Sequence, residues 1–329
     1  MARPLVPRFC RRGSVSLRTK ARDVIYRVAR EGLEANAPAL MRSRDVELAL
    51  QTLLSHQPVG ELNDLVGYVT LLRQCIEPMK CDCRMVKPPD DGAAAAVGQF
   101  EALCASLQEA LPPTPVATAL RIAKIADEYR GGRHRKAHGR HRGLVSHHFV
   151  VSSSDGRKGR LLSAVVQSLQ PKRILELGTG YGISGLFMGL ALSELGADGE
   201  DFSIQTIESA EPQATLAREL LMREIGERVR CSTGRTREAL PELARVARAF
   251  DFVFHDAGHT YEDYCGDFEL MEPHLRSGAV LLLDDIRWDD SRYTSQPARS
   301  YEGWQAVMQH PRIACAAEID GTMGLALMA

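Results

Sequence analysis

A glycine-rich segment at residues 173–185, which reads RILELGTGYGISG, constrains the fold more than any other part of the chain. It begins with an apolar run typical of a buried strand, passes through three closely spaced glycines, and continues into a helical pattern. Glycine allows the backbone to turn sharply, and it allows a ligand to approach the positive N-terminus of the following helix. A strand, a turn and a helix in this order indicate a parallel α/β sheet with a ligand site at the turn.

The pattern of strand followed by helix repeats after Gly156. The predicted strands are Arg173–Leu177, Ser203–Glu208, Val229–Ser232, Phe252–His255 and Ala279–Asp284. The predicted helices are Lys158–Leu169, Ile183–Leu195, Gln213–Ile225, Arg237–Arg248 and Tyr261–Leu275. The chain then departs from this alternation, because strands at Arg312–Ala317 and Thr322–Met328 flank the turn pair Asp320-Gly321. The sequence therefore predicts a mostly parallel sheet that ends in an antiparallel hairpin.

Charge and hydrophobic patterning divide the chain into four predicted regions. They are a basic N-terminal segment at 1–42, a helical domain or cap at 43–129, a basic, His-rich linker at 130–150 and the α/β domain at 151–329. Residues 1–150 hold 23 Lys and Arg against 15 Asp and Glu, whereas residues 151–329 hold 18 against 27. Such asymmetry indicates that the two halves have different roles.

Composition excludes several classes of protein. Hydrophobic residues make up 44% and charged residues 25%, as in ordinary globular proteins, and no long uninterrupted apolar run predicts a membrane span. The eight cysteines are scattered and predict reduced thiols in a cytoplasmic protein, although residues 1–22 are Arg-rich and acid-free and would fit an organellar transit peptide. The linker lacks interleaved aromatic residues, so no nucleic-acid partner is expected. A homodimer through the helical region stays open.

Two cofactor classes fit the glycine segment. Residues 180–185 match the dinucleotide fingerprint literally, which favours a nicotinamide-dependent enzyme. Glu176 opposes that interpretation, because a carboxylate two residues before the first glycine would repel a pyrophosphate and attract a cationic ligand instead. The pattern Glu176-x-Gly178-x-Gly180-x-Gly182 resembles the first motif of class I S-adenosylmethionine-dependent methyltransferases, whose sheet also ends in an antiparallel hairpin.

This resemblance implies a Rossmann-like methyltransferase domain over residues 151–329 that binds S-adenosylmethionine. It implies that Glu176 and the glycine loop lie near the methionine amino group, Ser184 near the carboxylate, and Glu208 at the ribose hydroxyls. The implied cofactor-binding residues are Glu176, Gly178, Gly180, Gly182, Ser184, Glu208, Gly234, Thr236 and Asp256.

Acidic residues follow two strands that we expect to be neighbours. Asp256 ends one of them, and Asp284 and Asp285 end the other. The carboxyl ends of adjacent parallel strands lie side by side, so these carboxylates should converge, and three of them repel one another unless a cation such as Mg²⁺ joins them. The set resembles the metal site of the catechol O-methyltransferase branch, although Asp285 stands where that branch has Asn.

In that branch a catalytic Lys stands where this chain has His259. The resemblance implies metal-assisted O-methylation of a small hydroxylated acceptor, with Mg²⁺ or another divalent cation binding the hydroxyl and His259 taking its proton. Three alternatives stay open. They are a metal-independent N- or O-methyltransferase acting on protein or RNA, a nicotinamide-dependent enzyme, and an inactive methyltransferase fold that binds a partner.

Overall fold

The computed structural model describes residues 74–75, 79–89, 94–112, 114, 118, 122, 156–195, 202–246, 249–288 and 298–329. The predictions for 1–42 and 130–150, and most of those for 43–129, lie outside the described residues. The chain divides into two compact units, one formed by Met1–Glu77 with Pro113–Gly156 and the other by Pro78–Pro112 with Arg157–Ala329. The second unit contains the sheet and the candidate site.

The described residues form one eight-stranded sheet. Its strands are β1 (Cys83–Lys87), β2 (Arg173–Leu177), β3 (Ser203–Glu208), β4 (Val229–Thr233), β5 (Phe250–His255), β6 (Leu275–Leu283), β7 (Ile313–Ile319) and β8 (Met323–Met328). The spatial order is β1-β7-β8-β6-β5-β2-β3-β4. Strands β2 to β6 pair in parallel, whereas β8 runs antiparallel to β6 and to β7.

The described helices alternate with the parallel strands. They are α1 (Ala94–Gln108), α2 (Gly156–Leu169), α3 (Ile183–Glu194), α4 (Glu211–Glu224), α5 (Thr236–Val246), α6 (Tyr261–Met271) and α7 (Ser300–Gln309). This architecture confirms the predicted α/β class, the parallel sheet and the terminal antiparallel hairpin. The predicted strands and helices agree with those observed to within a few residues at most ends. None of the described helices is long and apolar enough to cross a membrane.

One region differs from its prediction. The pattern predicts only helices over residues 43–129, but Cys83–Lys87 forms strand β1, which pairs antiparallel with β7. Asp320 fixes the pairing at one end, since its side chain accepts from the backbone N–H of Asp82 at 2.7 Å. Residues 78–112 therefore belong to the same unit as the sheet.

The centre of the sheet is mostly apolar, although Glu176, Asp251 and His255 are also buried in its central strands. Every residue of β5 is buried, and Phe250, Phe252 and Phe254 are completely inaccessible. Trp304 of α7 is also completely buried, and it lies against Gly324 of the hairpin, where an added Cβ would come within 2.7 Å of the indole ring. The hairpin and α7 thus pack as one body on the last parallel strand.

Candidate active site

The glycine loop follows β2 and requires its glycines at specific positions. Gly178, Gly180 and Gly182 all have positive φ, at 90°, 53° and 85°. A Cβ at Gly178 would lie 2.2 Å from the backbone oxygen of Asp256, so the loop and the end of β5 are in direct contact. This contact brings the ends of the two strands to one edge of the sheet, as the sequence predicts.

Glu176 and Ser184 lie beneath the loop. Glu176 is completely buried, and its carboxylate accepts hydrogen bonds from the hydroxyl groups of Ser184 and of Thr206, the latter at 2.6 Å. Burial raises the pKa of Glu176 to about 7, although both hydroxyl groups act in the opposite direction. The two predicted cofactor residues thus bond to each other. Their contact with the cofactor stays a prediction.

A cavity of about 390 Å³ opens at the carboxyl ends of the parallel strands. Its lining includes five of the predicted cofactor residues, which are Gly178, Glu208, Gly234, Thr236 and Asp256. Each carboxylate oxygen of Glu208 accepts a backbone N–H at 2.8 Å, one from Gly180 and one from Ala210. These bonds fix the carboxylate at the end of β3, where it lines the cavity.

Asp256, Asp284 and Asp285 converge as predicted, but a lysine lies among them. Lys158 of α2 donates its Nζ to Asp284 Oδ2 and lies 3.7 Å from Asp256 Oδ2. Asp284 is almost fully buried, with 1% of its side chain exposed. We call these four residues the acidic cluster. Asp285 has φ 52°, a left-handed conformation in which its carboxylate faces His259.

The pKa values of the acidic cluster reflect burial and mutual repulsion. Burial, and then the charge of Asp284, raises the pKa of Asp256 well above its ordinary value. The same two causes raise the pKa of Asp285 to about 6. Burial opposes the charge of Lys158, but Asp256 and Asp284 outweigh it and raise the pKa of the ammonium group. The lysine is therefore a permanent cation among groups that repel each other.

His259 lies at the edge of the acidic cluster. Its Nε2 is 3.8 Å from Asp256 Oδ1 and also 3.8 Å from Asp285 Oδ2. Burial lowers its pKa to about 4, and the Asp284 carboxylate acts in the opposite direction. The backbone is fixed on both sides, because Thr260 begins α6 with a capping box and Ser300 donates its hydroxyl to the His259 carbonyl. The imidazole is thus held between two carboxylates.

The donor set of the acidic cluster suits a hard cation, yet its arrangement does not fit one. Among the described residues, no group of three or more His, Cys, Asp or Glu side chains is arranged to hold a metal ion. The Lys158 ammonium is bonded to Asp284 and lies beside Asp256, the position that a bridging cation would need. The metal role predicted for Asp256, Asp284 and Asp285 therefore has no support in this geometry.

Two aromatic residues, Trp288 and Tyr264, lie beside His259 and the acidic cluster. The Trp288 ring lies 5.5 Å from the His259 ring and is partly exposed. Tyr264 is buried and donates its hydroxyl to the Asp284 carbonyl, so it supports the acidic cluster from below. Trp304 instead donates to Glu318 and belongs to the core.

Sequence reasoning missed several residues of the site. Lys158 is the most important, and the helical pattern around it carries no sign of its partners, which lie about a hundred residues later. The cavity is also lined by three charged residues that the sequence analysis did not assign, namely Arg237, Asp263 and Asp267.

Comparisons with known proteins agree with this geometry. A family model described as a methyltransferase domain matches residues 175–286, which include the glycine loop and the acidic cluster apart from Lys158. A probable O-methyltransferase of Mycobacterium tuberculosis is 32% identical over 40% of this chain and 56% of its own length. The catechol O-methyltransferase B of Danio rerio is 33% identical over 39% of this chain and 48% of its length. The chain thus spans about half the length of these two relatives.

A third relative is covered more fully. The catechol O-methyltransferase of Sus scrofa is 30% identical over 40% of this chain, and the match covers 68% of that protein. The nicotinamide-dependent alternative is set aside, because the strand order, the glycine loop and these relatives all agree with a methyltransferase. The chain belongs to the class I S-adenosylmethionine-dependent O-methyltransferase family.

Proposed function

We propose that this protein transfers the methyl group of S-adenosylmethionine to a hydroxyl oxygen of a small molecule. The observation that carries the proposal is the position of one cavity, which touches the glycine loop, Glu208 and Asp256 at the carboxyl ends of neighbouring parallel strands. Its volume of about 390 Å³ is within the range of small-molecule sites. The relatives named as O-methyltransferases support the same reaction.

The charge of the cavity supports this cofactor class. Four carboxylates line it, from Glu208, Asp256, Asp263 and Asp267, against the two guanidinium groups of Arg235 and Arg237. S-adenosylmethionine carries a cationic sulfonium and an ammonium group, which excess negative charge attracts. The pyrophosphate of a dinucleotide would be repelled. The Glu208 carboxylate, already held by two backbone N–H groups, has further lone pairs with which to accept ribose hydroxyl groups.

The chain's own residues supply the remaining chemistry. The sulfonium methyl group is already activated, so the protein has mainly to align it with the acceptor oxygen and to remove the hydroxyl proton. In our proposal His259 Nε2, which burial keeps neutral and therefore able to accept, takes that proton, and the carboxyl groups of Asp256 and Asp285 lie 3.8 Å from the imidazolium that forms. The acceptor leaves as a methyl ether and the cofactor as a neutral thioether. Trp288 offers an aromatic surface beside His259 for a flat acceptor.

The metal-assisted route predicted from the sequence is the alternative within the same function. A divalent cation would bind the acceptor hydroxyl and make it more acidic, and activity would then be lost on chelation. Methylation of a protein or RNA has no specific support in the described residues. Cytoplasmic location and a homodimer stay predictions.

Calorimetric titration with S-adenosylmethionine tests the proposal first. We expect saturable binding to the intact chain and none of NAD, because the cavity is acidic. Replacing Glu208 by Gln should weaken binding by about 10- to 100-fold, since a charge-assisted hydrogen bond contributes roughly 1.5–3 kcal/mol. The matched control is Glu227→Gln at an exposed carboxylate, which should leave the affinity unchanged.

Transfer itself is measured with S-adenosylmethionine labelled in its methyl group and a panel of catechols and other small phenols. Label in an ether product supports the proposal. Failure of the chain to bind S-adenosylmethionine, or equal affinity in Glu208→Gln and the parent, would contradict it.

A further inference from the structure

The acidic cluster contains a resident cation that no motif indicates. Lys158 Nζ bonds to Asp284 Oδ2 and lies 3.7 Å from Asp256 Oδ2, and only 20% of the lysine side chain is exposed. Three carboxylates with a single lysine leave the acidic cluster with a formal charge of −2, so the ammonium is strongly held. A surface lysine that merely covered the site would remain solvated and would be displaced at little cost.

The helix that carries Lys158 is fixed in place by its next two residues. Gly159 lies directly against Phe187 of α3, and an added Cβ would come within 2.3 Å of the ring. Arg160 is buried, and its guanidinium donates to the carbonyls of Leu111 at 2.7 Å and Pro112 at 2.9 Å. The first turn of α2 is therefore anchored on two sides, which holds the Lys158 side chain over Asp284.

A divalent cation between Asp256 and Asp284 would lie close to this ammonium group, which bonds to Asp284 and lies beside Asp256. Like charges within about 4 Å of each other repel, and they repel more strongly in a partly buried site. We propose that Lys158 occupies the place in which the resembled branch holds a divalent cation, as a positioning residue that offsets part of the negative charge of Asp284 and Asp256. Methyl transfer by this chain therefore needs no divalent metal.

The inference rests on the proposed function for the meaning of the site, but it predicts a property that can be measured without methyl transfer. Removing the ammonium should uncover a carboxylate site for a hard cation, since oxygen ligands suit Mg²⁺ and Mn²⁺. A lysine with a purely structural role would, when replaced, change stability and create no metal site.

The experiment is a titration of the intact chain with Mn²⁺, in which electron paramagnetic resonance measures the concentration of the free ion. We expect no saturable Mn²⁺ site in the parent protein or in Lys158→Arg, which keeps the charge. Lys158→Met should bind Mn²⁺ at least about tenfold more tightly, and the additional change Asp284→Asn should abolish that site. Lys80→Met, at an exposed lysine, is the matched control and should behave as the parent.

Thermal unfolding of each variant shows whether it folds. If Lys158→Met does not fold, the Mn²⁺ titration of the parent still tests the inference. A saturable Mn²⁺ site in the parent that Asp284→Asn removes would overturn the inference, as would loss of the parent's methyl transfer on treatment with EDTA. Mn²⁺ affinity in a folded Lys158→Met no higher than in the parent would also overturn it. Binding of S-adenosylmethionine is measured separately, so its absence would contradict the proposed function and leave the metal result interpretable.

Discussion

Glu318 and Asp284 are both buried carboxylates of the same sheet, and their surroundings are opposite. Glu318 lies on β7 in the antiparallel half, and four donors surround it. They are Arg84 at 3.7 Å, Arg287 at 2.9 Å, Tyr301 at 3.0 Å and Trp304 at 3.3 Å. Its charge is offset from several elements at once, as a structural carboxylate requires.

Asp284 follows β6 in the parallel half and has other carboxylates for neighbours. Besides burial, the charge of Asp284 raises the pKa values of both Asp256 and Asp285, and Asp285 also raises that of Asp256. Lys158 is the cation that bonds to Asp284 in this cluster. Such crowding costs stability, so it persists where a function requires it. The difference teaches that burial alone does not identify a site. What distinguishes the acidic cluster is repulsion that its neighbours leave partly uncompensated.

The largest expected effect is on activity, from Asp284→Asn. This change keeps the shape of the side chain but removes the charge that holds Lys158, so we expect kcat/KM to fall by about 1,000-fold. The free energy of unfolding should change little, because loss of the ion pair with Lys158 is offset by relief of the repulsion from Asp256 and Asp285. Steady-state kinetics with saturating S-adenosylmethionine measure kcat/KM for the acceptor, and a denaturant titration measures the free energy of unfolding. Activity within threefold of the parent would remove the functional side of the comparison.

Glu318→Ala should give the reverse result. Its loss leaves the Trp304 N–H and the Arg287 guanidinium without their carboxylate, so we expect the unfolding free energy to fall by about 3 kcal/mol. Turnover per folded molecule should stay close to that of the parent. The control is Glu302→Ala, since Glu302 forms an exposed pair with Arg299 and its loss should leave the unfolding free energy close to that of the parent. Equal costs at Glu318 and Glu302 would contradict the structural role.

A third buried carboxylate, Glu176, should show a smaller effect. Among the described residues, two hydroxyl groups donate to its carboxylate. Its pKa in the folded chain is about 7 against an ordinary 4.5, so the folded state binds the proton more tightly. The contribution of Glu176 to the free energy of unfolding is therefore fully present below pH 4.5, and it is lost as the pH rises towards 7. Relative to Glu176→Gln, the parent should lose about 1–3 kcal/mol across that window.

Denaturant titrations of the parent and of Glu176→Gln at several pH values measure this difference directly. Using the difference cancels the contributions of Asp256 and Asp285, whose pKa values are also raised. A difference that does not change with pH would mean that Glu176 keeps its ordinary pKa in the folded chain.

Sequence patterns predicted the parallel half of the sheet because each strand there is a short apolar run bounded by turn residues. The terminal hairpin was predictable for the same reason, from Asp320-Gly321 between two apolar runs. Strand β1 was not, because five residues with mixed burial show no alternation and their partner strand is more than 200 residues away. The pairing that makes these residues a strand is not local, so no short window of sequence around them predicts it.

The candidate site divides in the same way. Asp256, Asp284 and His259 follow predicted strand ends, and adjacency of parallel strands was enough to place them together. Lys158 could not be assigned, because its role depends on how α2 packs against the sheet. The motif predicts that Glu176 and Ser184 lie near the cofactor, and this stays a prediction. Spacing alone did not reveal that Glu176 is completely buried and accepts a hydrogen bond from Ser184.

The pairing of β1 with β7 has a consequence for synthesis of the chain. The bond between Asp82 and Asp320 joins residues 238 positions apart, so β1 leaves the ribosome long before its partner exists. At roughly 5–20 residues per second the delay is about 10–50 s. During that interval residues 83–87 lack the strand with which they pair in the finished fold. Once β7 has been made, β1 covers its edge, which would otherwise be open to other chains. Among the described strands, β1 is thus the first to be made, and at one end of the sheet order it covers the edge of a strand near the end of the chain.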